Sequence, residues 1–440
     1  MDSNTIKDPY PLEWDALFAI VTPLFLAGAD QQQVELRASS LRGALRFWWR
    51  ALAWSGIATP DEPSVKVKLA RIHEIETLLF GFAGSQKNSR QSALSICIEP
   101  CPRPGLGSLK KNEKDAILGA SKAHGAYYLG YGLMEAFDNQ QKNRKAGQLL
   151  RPCLESGQGF RVKFRITHPT SLSATLKQDF DTAVSLFEKA LHLYGLLGGL
   201  GSRARRGWGS LRLHKLSGRT QEFKRADTPE SYKAAILDLL PSPLSADEPP
   251  YSAFSQRSRI DILIPDTNDA MRVLDEMGRA MQRYRSWGKN GKVNGKPSEK
   301  KFRKDHDWSK TYQNKNYNHS TGPYKNYVPA RSIFGLPHNY GKIYEKNNRK
   351  TLGVKPSEAG KDRRASPLFL HVHQLASDWF IGVSILFTAR FLPTDKANVS
   401  ILNDRRDYTP NWDVLTNFLD STPANPNHSS YFPDKISVFP

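Results

Sequence analysis

Residues 197–211 read LGGLGSRARRGWGSL, and these residue types suit the holding of an anion. Arg203, Arg205 and Arg206 place three permanently charged guanidiniums in a four-residue span. Gly198, Gly199, Gly201, Gly207 and Gly209 leave a backbone that turns freely and lets another molecule come close, and Ser202 sits among them. A cationic loop rich in donors can grip a phosphate backbone. The same glycines also suit a helix C-cap followed by a solvated turn. Both readings stand open on the loop alone.

A second cationic group lies in SSLRGALRFWWRAL. At helical spacing, Leu41, Leu45, Trp48 and Leu52 share one narrow face, and Arg42, Arg46 and Arg50 form the neighbouring stripe beside Gly43. The helix carries no acidic residue along that stripe, so a phosphate-facing role is expected over an ordinary solvated face. Arg161, Lys163 and Arg165 alternate with Phe160, Val162, Phe164 and Ile166, giving a strand with one apolar and one basic face. His371 and His373 share a strand face, which would suit a metal, yet no third ligand accompanies them in sequence. Cys97, Cys101 and Cys153 supply neither a disulfide framework nor the second pair of a zinc site. The glycine run follows a helix and opens a strand, the reverse of a dinucleotide-binding turn, and GxxxxGK[ST] is absent.

The elements around these groups repeat one order. A strand over 13–22 is followed by the arginine-bearing helix, capped by Ser39 or Ser40, and a second helix over 65–80. Strands follow over 93–99 and 159–167. A helix carrying Phe180, Val184, Phe187, Leu191 and Tyr194 then leads into the Gly/Arg loop, and a strand over 208–213 leaves it. That is a βαββαβ unit with helices on one face of an antiparallel sheet. Residues 221–250, with PSPLSADEPP, read as a linker around one short helical piece. Beyond it, strands over 258–264, 365–374, 379–391 and 434–439 and helices over 270–281 and 411–419 restate the order more weakly. The fold class is α+β, with two tandem ferredoxin-like domains over 1–220 and 251–440. Leu79-Phe80-Gly81-Phe82 is echoed by Ile333-Phe334-Gly335-Leu336.

Across 440 residues, 63 Lys and Arg against 43 Asp and Glu give +20, which favours a polyanionic partner. No apolar run reaches the roughly 18 residues of a membrane span, and the polar N-terminus is unlike a signal peptide, so no membrane and a cytoplasmic location are expected. Between 286 and 364, 19 basic residues against 6 acidic ones leave 13 of the +20. Trp287, Phe302, Trp308, Tyr312, Tyr317, Tyr324 and Tyr327 interleave with those cations. The insertion, placed at about 286–330, is therefore read both as a stacking surface for single-stranded RNA and as a solvated excursion that orders on binding.

TPLFLAGA, SSLRGALRFWWRAL, the LFG punctuation, GLLGGLGSRARRGWGSL, IFGLP and RRASPLFLHV stand in an order that resembles the first RAMP subunit of the type III-B CRISPR effector, the Cmr complex. The resemblance spans Thr22 to Val372 and implies RRM-related tandem domains. It implies a non-catalytic subunit at the head of that complex, near the 3′ part of the crRNA, beside other RAMP subunits and contacting crRNA and target RNA. Arg363 and Arg364, which open RRASPLFLHV, join the expected RNA contacts. The reading assigns no catalytic residue, no metal and no cofactor. Two alternatives accompany it: a metal-dependent RNA endonuclease using Asp30, in the loop where other RAMP subunits place a cleavage aspartate, and an architectural cap whose charge is incidental.

Overall fold

The computed structural model describes residues 10–58, 64–84, 89–99, 111–112, 124–135, 138, 140–169, 172–218, 223–288, 290–293, 295–314, 322–345, 348–357, 363–392, 397–402, 404–420, 432 and 434–439. Cys101 and Tyr317 fall outside these residues.

The first half runs β1 (Leu12–Ile20), α1 (Ala38–Gly56), α2 (Val65–Phe80), β2 (Leu94–Glu99), the short β3 (Lys111–Asn112), α3 (His124–Leu129), the short β4 (Cys153–Leu154), β5 (Gly159–Ile166), α4 (Ala174–Leu197), β6 (Leu211–Gly218) and α5 (Pro229–Leu239). Its sheet has the order β2-β5-β1-β6, every neighbour antiparallel. This is the ferredoxin-like arrangement expected from the element order. The alternating apolar residues decide which face is covered: Trp14, Phe18, Phe160 and Phe164 are buried with Leu45, Trp49 and Leu52 of α1 and Phe187 of α4. Trp49 Nε1 donates to the Ala183 carbonyl at 2.9 Å, tying α1 to α4.

Two sequence expectations change here. Helix α1 begins after Arg37, which makes no side-chain cap bond, so Ser39 and Ser40 lie inside the first turn. Trp208, expected in a strand, is fully buried before β6 begins at Leu211, because Gly207 and Gly209 hold positive φ and keep the chain turning. The short helical piece expected within 221–250 is α5, where Thr228 and Ser231 form a reciprocal cap and Tyr232 is buried with its hydroxyl donating to the Leu196 carbonyl at 2.5 Å.

The second half runs β7 (Arg259–Leu263), α6 (Ala270–Arg285), the two-residue strands β8 (Lys292–Val293) and β9 (Lys296–Pro297), α7 (Arg303–Gln313), β10 (His338–Glu345), β11 (Asn348–Pro356), β12 (Leu368–Gln374), β13 (Phe380–Leu386), β14 (Asn398–Ile401), β15 (Asp404–Asp407), α8 (Asp413–Leu419) and β16 (Lys435–Phe439). Strands β12-β13-β7-β16 repeat the first sheet's order, again antiparallel throughout. A separate sheet, β10-β11-β14-β15, is inserted around it.

Among the described residues, the aromatic side chains of the insertion do not form an open stacking surface. Trp308 and Tyr312 of α7 are buried in the second core, and Trp287 lies flat on His306 with ring centroids 3.9 Å apart. Helix amphipathicity explains this, since the side chains at 308 and 312 are one turn apart and face inward together.

The two halves meet through α1. Phe47 stacks on Phe369 of β12 at 5.5 Å, and Trp48 stacks on Phe254 at 6.2 Å. The echoed punctuation also has a structural counterpart. Gly81 and Gly335 both hold positive φ, and the residues after them, Phe82 and Leu336, form isolated antiparallel bridges to Arg90 and Arg364.

Candidate nucleic-acid interface

Helix α4 delivers the chain into the Gly/Arg loop, where the Gly198 N–H caps the helix on the Tyr194 carbonyl at 2.8 Å. The loop is folded tightly on its own protein. Ser202 N–H donates to Phe25 O at 2.7 Å, Leu200 N–H to Gly209 O at 2.9 Å, and Arg206 N–H to Arg203 O at 2.7 Å. At Gly201, φ is 85° and a Cβ would stand 2.3 Å from Phe25 O; at Gly207, φ is 80° and a Cβ would stand 2.6 Å from Leu274 of α6. These glycines thus serve close packing within the chain, and those amides are already bonded. Gly199 bridges to Ser210 at the base of the same loop. The expectation of a donor-rich backbone open to a ligand is corrected accordingly, and any grip falls to the side chains.

The loop sends its arginines to two sides. Arg203, itself at φ 62°, is exposed and donates through Nε and Nη2 to the Tyr131 carbonyl at 3.1 and 2.7 Å. Burial, and after it the charges of Arg363 and Arg151, pushes this guanidinium below its ordinary value. Arg363 is exposed. Arg206 turns toward the C-terminal end of α6. Burial first, then Arg285 and Arg203, lowers it to about 10.

Arg205 points the other way and is held by aromatic rings, its guanidinium carbon 4.7 Å from the Phe369 centroid and 5.3 Å from Phe47. Its backbone carbonyl accepts from Leu370 N–H at 3.0 Å, which fixes the loop against β12. Beside it, Arg364 lies 5.5 Å from the Phe391 ring and donates to the Arg390 carbonyl at 3.4 Å. Burial and then Arg205 lower Arg364 to about 10. Neither guanidinium forms an ion pair among the described residues. Two partly buried like charges are thus held side by side without a carboxylate, an arrangement that an incoming anion would relieve.

Arg205 and Arg364 line one cleft of about 790 Å³ together with Arg46, Phe47, Arg50 and His73. Four of the expected site residues, Arg46, Arg50, Arg205 and Arg364, therefore come together from α1, the Gly/Arg loop and the segment before β12, with His73 and Glu76 of α2 beside them. A smaller pocket of about 470 Å³ adjoins the loop on the side of Gly28, Ser40, Arg151, Gly199, Gly201 and Ser202.

The arginine stripe on α1 is less free than its helix suggests. Arg46 and Arg50 both donate to the buried Glu76 of α2, each through Nε at 2.6 Å, and Arg50 adds a second bond at 2.8 Å. Arg42 donates to the Leu94 carbonyl at 2.9 Å. The expected absence of an acid is corrected: the acid comes from the neighbouring helix. The Arg46 and Arg50 side chains nonetheless remain 35% and 43% exposed at the cleft.

Arg161, Lys163 and Arg165 stay apart from this cleft, on the sheet face away from the core. They pair across strands with Asp15, Glu99 and Glu13; Lys163 reaches Glu99 at 2.7 Å and Arg165 reaches Glu13 at 3.5 Å. Those acids sit on the flanking strands at matching register, so the basic face is neutralised locally.

His371 and His373 are buried and kept neutral. Burial pulls His371 down to about 3 despite the carbonyls of Leu196 and Gly198 beside it. Asp30 lies in an exposed turn, its Oδ1 accepting the Gln32 N–H at 2.8 Å. Among the described residues, no three His, Cys, Asp or Glu side chains gather as a metal site requires. Cys153 is buried, its thiol pushed up to about 12 by desolvation, and Cys97 is exposed. No helix of the described residues is long and apolar enough to cross a membrane.

Phe47 and Arg285 were not among the expected site residues, although Arg285 is legible near the end of its helix. Phe47 sits beside Trp48 and off the core stripe by helical phase, which was the available signal; Arg285 is at helix α6's end, and only the fold brings it to Arg206.

Comparison with known proteins bears on the fold and the family. Residues 18–212 match the RAMP superfamily. A curated relative, the CRISPR system Cmr subunit Cmr1-2 of Pyrococcus furiosus, is 28% identical over 205 residues, which cover 46% of this chain and 97% of that protein. The crystal structure of Cmr1 from Pyrococcus furiosus in its apo form covers 97% of this chain and 98% of its own at 19% identity with a TM-score of 0.50, a likeness of fold. A chain from the cryo-EM structure of the type III-B Cmr-beta complex bound to cognate target RNA matches at 13% identity, 93% and 98% coverage and a TM-score of 0.48. Residues 18–212 thus form a RAMP-superfamily domain, and the whole chain, folded as tandem ferredoxin-like units, resembles the first RAMP subunit of the Cmr complex.

Proposed function

We propose that the chain is a non-catalytic, RNA-binding subunit of a type III-B CRISPR-Cas ribonucleoprotein, occupying the place that Cmr1 takes at the head of the complex near the 3′ part of the crRNA. The observation that carries this reading is the cleft at Arg205 and Arg364, where two guanidiniums face Arg46 and Arg50 without a carboxylate of their own. Phosphates of crRNA or target RNA supply the missing anions, and sequence is read by base pairing within the RNA. Arg203, Arg206 and Arg363 extend the contact along the loop's second side, with Arg151 beside them. Other RAMP subunits of the complex are the protein partners. Residues 1–220 and 251–440 are the two domains, joined through 221–250.

The test is RNA binding by the Arg203→Ala/Arg205→Ala/Arg206→Ala protein. Binding should weaken for all sequences alike, with a flatter salt dependence. Wild-type affinity at every salt concentration would sink the assignment. Incubating the wild-type chain with labelled RNA and divalent metal, with Asp30→Ala as control, addresses cleavage; specific products lost in the variant would overturn the non-catalytic reading.

A further inference from the structure

The segment AYYLGYGLM, over 126–134, is rich in aromatic residues that the arginine cleft does not use. Most of it is core: Tyr127, Leu129, Leu133 and Met134 are buried in the second core with Trp208 of the Gly/Arg loop. Tyr131, in the turn after α3, is the exception. It is 66% exposed, the most open large apolar side chain among the described residues, and there it makes neither a side-chain hydrogen bond nor a ring contact.

The turn that carries this ring is firmly held. Gly130 packs on Trp208, where a Cβ would stand 3.0 Å from Nε1, and Gly132 holds a φ of 88°. Leu133 N–H donates to Gly130 O at 2.8 Å, and Tyr131 and Met134 form an isolated parallel bridge. From the other side Arg203 directs both Nε and Nη2 at the Tyr131 carbonyl. Its own φ of 62° is one that a residue with a side chain adopts at a cost. Arg363, exposed, and Arg151, half-buried, lie close enough for their charges to act on Arg203. None of these three arginines forms an ion pair among the described residues.

A single exposed aromatic side chain is ordinary on a protein surface. One fixed through its backbone and flanked by three unpaired guanidiniums suits a particular ligand. The ring gains most from a flat partner and the guanidiniums from phosphates, and single-stranded RNA offers both at each nucleotide. A platform already held in place keeps the ordering cost of such a stack low.

We propose that Tyr131 is a stacking platform for one base of the bound RNA, with Arg203, Arg151 and Arg363 on the phosphates beside that base. Its role depends on the RNA-binding reading above, to which it adds a base contact that the arginines do not supply. Every base has a π-face, so the platform accepts any sequence. Arg203, gripping the Tyr131 carbonyl, also acts as a positioning residue for the ring.

Fluorescence anisotropy of the full chain with a labelled uridine homopolymer of about ten nucleotides tests this. Tyr131→Ala should weaken binding about tenfold, the scale of one lost base–aromatic stack. The slope of log K against log salt should stay unchanged, because no charge is removed. Tyr131→Phe keeps the ring and should bind as wild type. Near-ultraviolet cross-linking of the wild-type chain to the same RNA carrying iodouridine, mapped by mass spectrometry, should place an adduct on Tyr131. Wild-type affinity in Tyr131→Ala, a loss accompanied by a flatter slope, or no adduct at Tyr131 overturns the platform. If Arg203→Ala/Arg205→Ala/Arg206→Ala still weakens binding in that case, the RNA interface stands without it. Absence of RNA binding by the wild-type chain overturns both.

Discussion

Replacing Arg205 and Arg364 together by methionine removes two charges from the cleft while keeping most of each aliphatic stem against Phe47, Phe369 and Phe391. In the free protein two effects oppose each other. The cation–π contacts are worth about 0.5–2 kcal/mol each and are lost. Against this, the desolvation that depresses both guanidiniums disappears, together with the charge of Arg205 that lowers Arg364 further. The melting temperature should therefore stay within about 2 °C of wild type, a change on the order of 1 kcal/mol. RNA binding behaves differently. A hydrogen bond to a charged group contributes about 1.5–3 kcal/mol, so losing two weakens binding by roughly 100-fold or more. Each lost phosphate contact also lowers the slope of log K against log salt by about 0.7, hence about 1.4 for the pair. Fluorescence anisotropy with labelled guide RNA, from about 50 to 200 mM salt, measures both quantities. Unchanged affinity and slope would refute the reasoning. So would a collapse of the melting temperature, which would make the pair a structural element.

Other consequences follow from particular contacts. Gly201→Ala should destabilise by about 2 kcal/mol or more, since a Cβ there meets Phe25 O and φ is positive; Gly43→Ala, with open space around its Cβ on an exposed helical site, should stabilise by roughly 0.5–1 kcal/mol in denaturant titration. Glu76→Ala strips Arg46 and Arg50 of their shared acceptor and should cost roughly 1–3 kcal/mol in the same assay, while RNA affinity is retained because both guanidiniums still face the cleft. His371 is depressed from 6.5 to about 3 in the folded chain, so the unfolded chain binds the extra proton. Its contribution is complete above pH 6.5 and is lost as pH falls toward 3, at about 1.4 kcal/mol per pH unit within that window. His371→Asn should flatten the acid limb of the stability profile by that amount.

The tandem sheets were legible because their strands alternate cleanly: Phe160, Val162, Phe164 and Ile166 can face only one way, and Ile260 and Ile262 repeat the pattern. The inserted sheet β10-β11-β14-β15 was not, since β10 and β15 are largely polar and the buried alternations Leu352/Val354 and Val399/Ile401 are only two residues long. Trp308 and Tyr312 looked like stacking surfaces because basic neighbours hid the inward helical pairing. At the site, residue type was informative and pairing was not. Arg205 and Arg364, more than 150 positions apart, share a cleft only because β12 docks on the Gly/Arg loop. Arg46 and Arg50 seemed free because Glu76 sits on another helix. Local sequence cannot show partners supplied across the fold.

A density map of the chain within an assembled, RNA-bound effector complex tests the central claim most directly. The account predicts RNA phosphate oxygens at about 2.7–2.9 Å from guanidinium nitrogens of Arg205 and Arg364. RNA passing over another face, with that cleft empty or filled by a neighbouring protein's carboxylates, would contradict it.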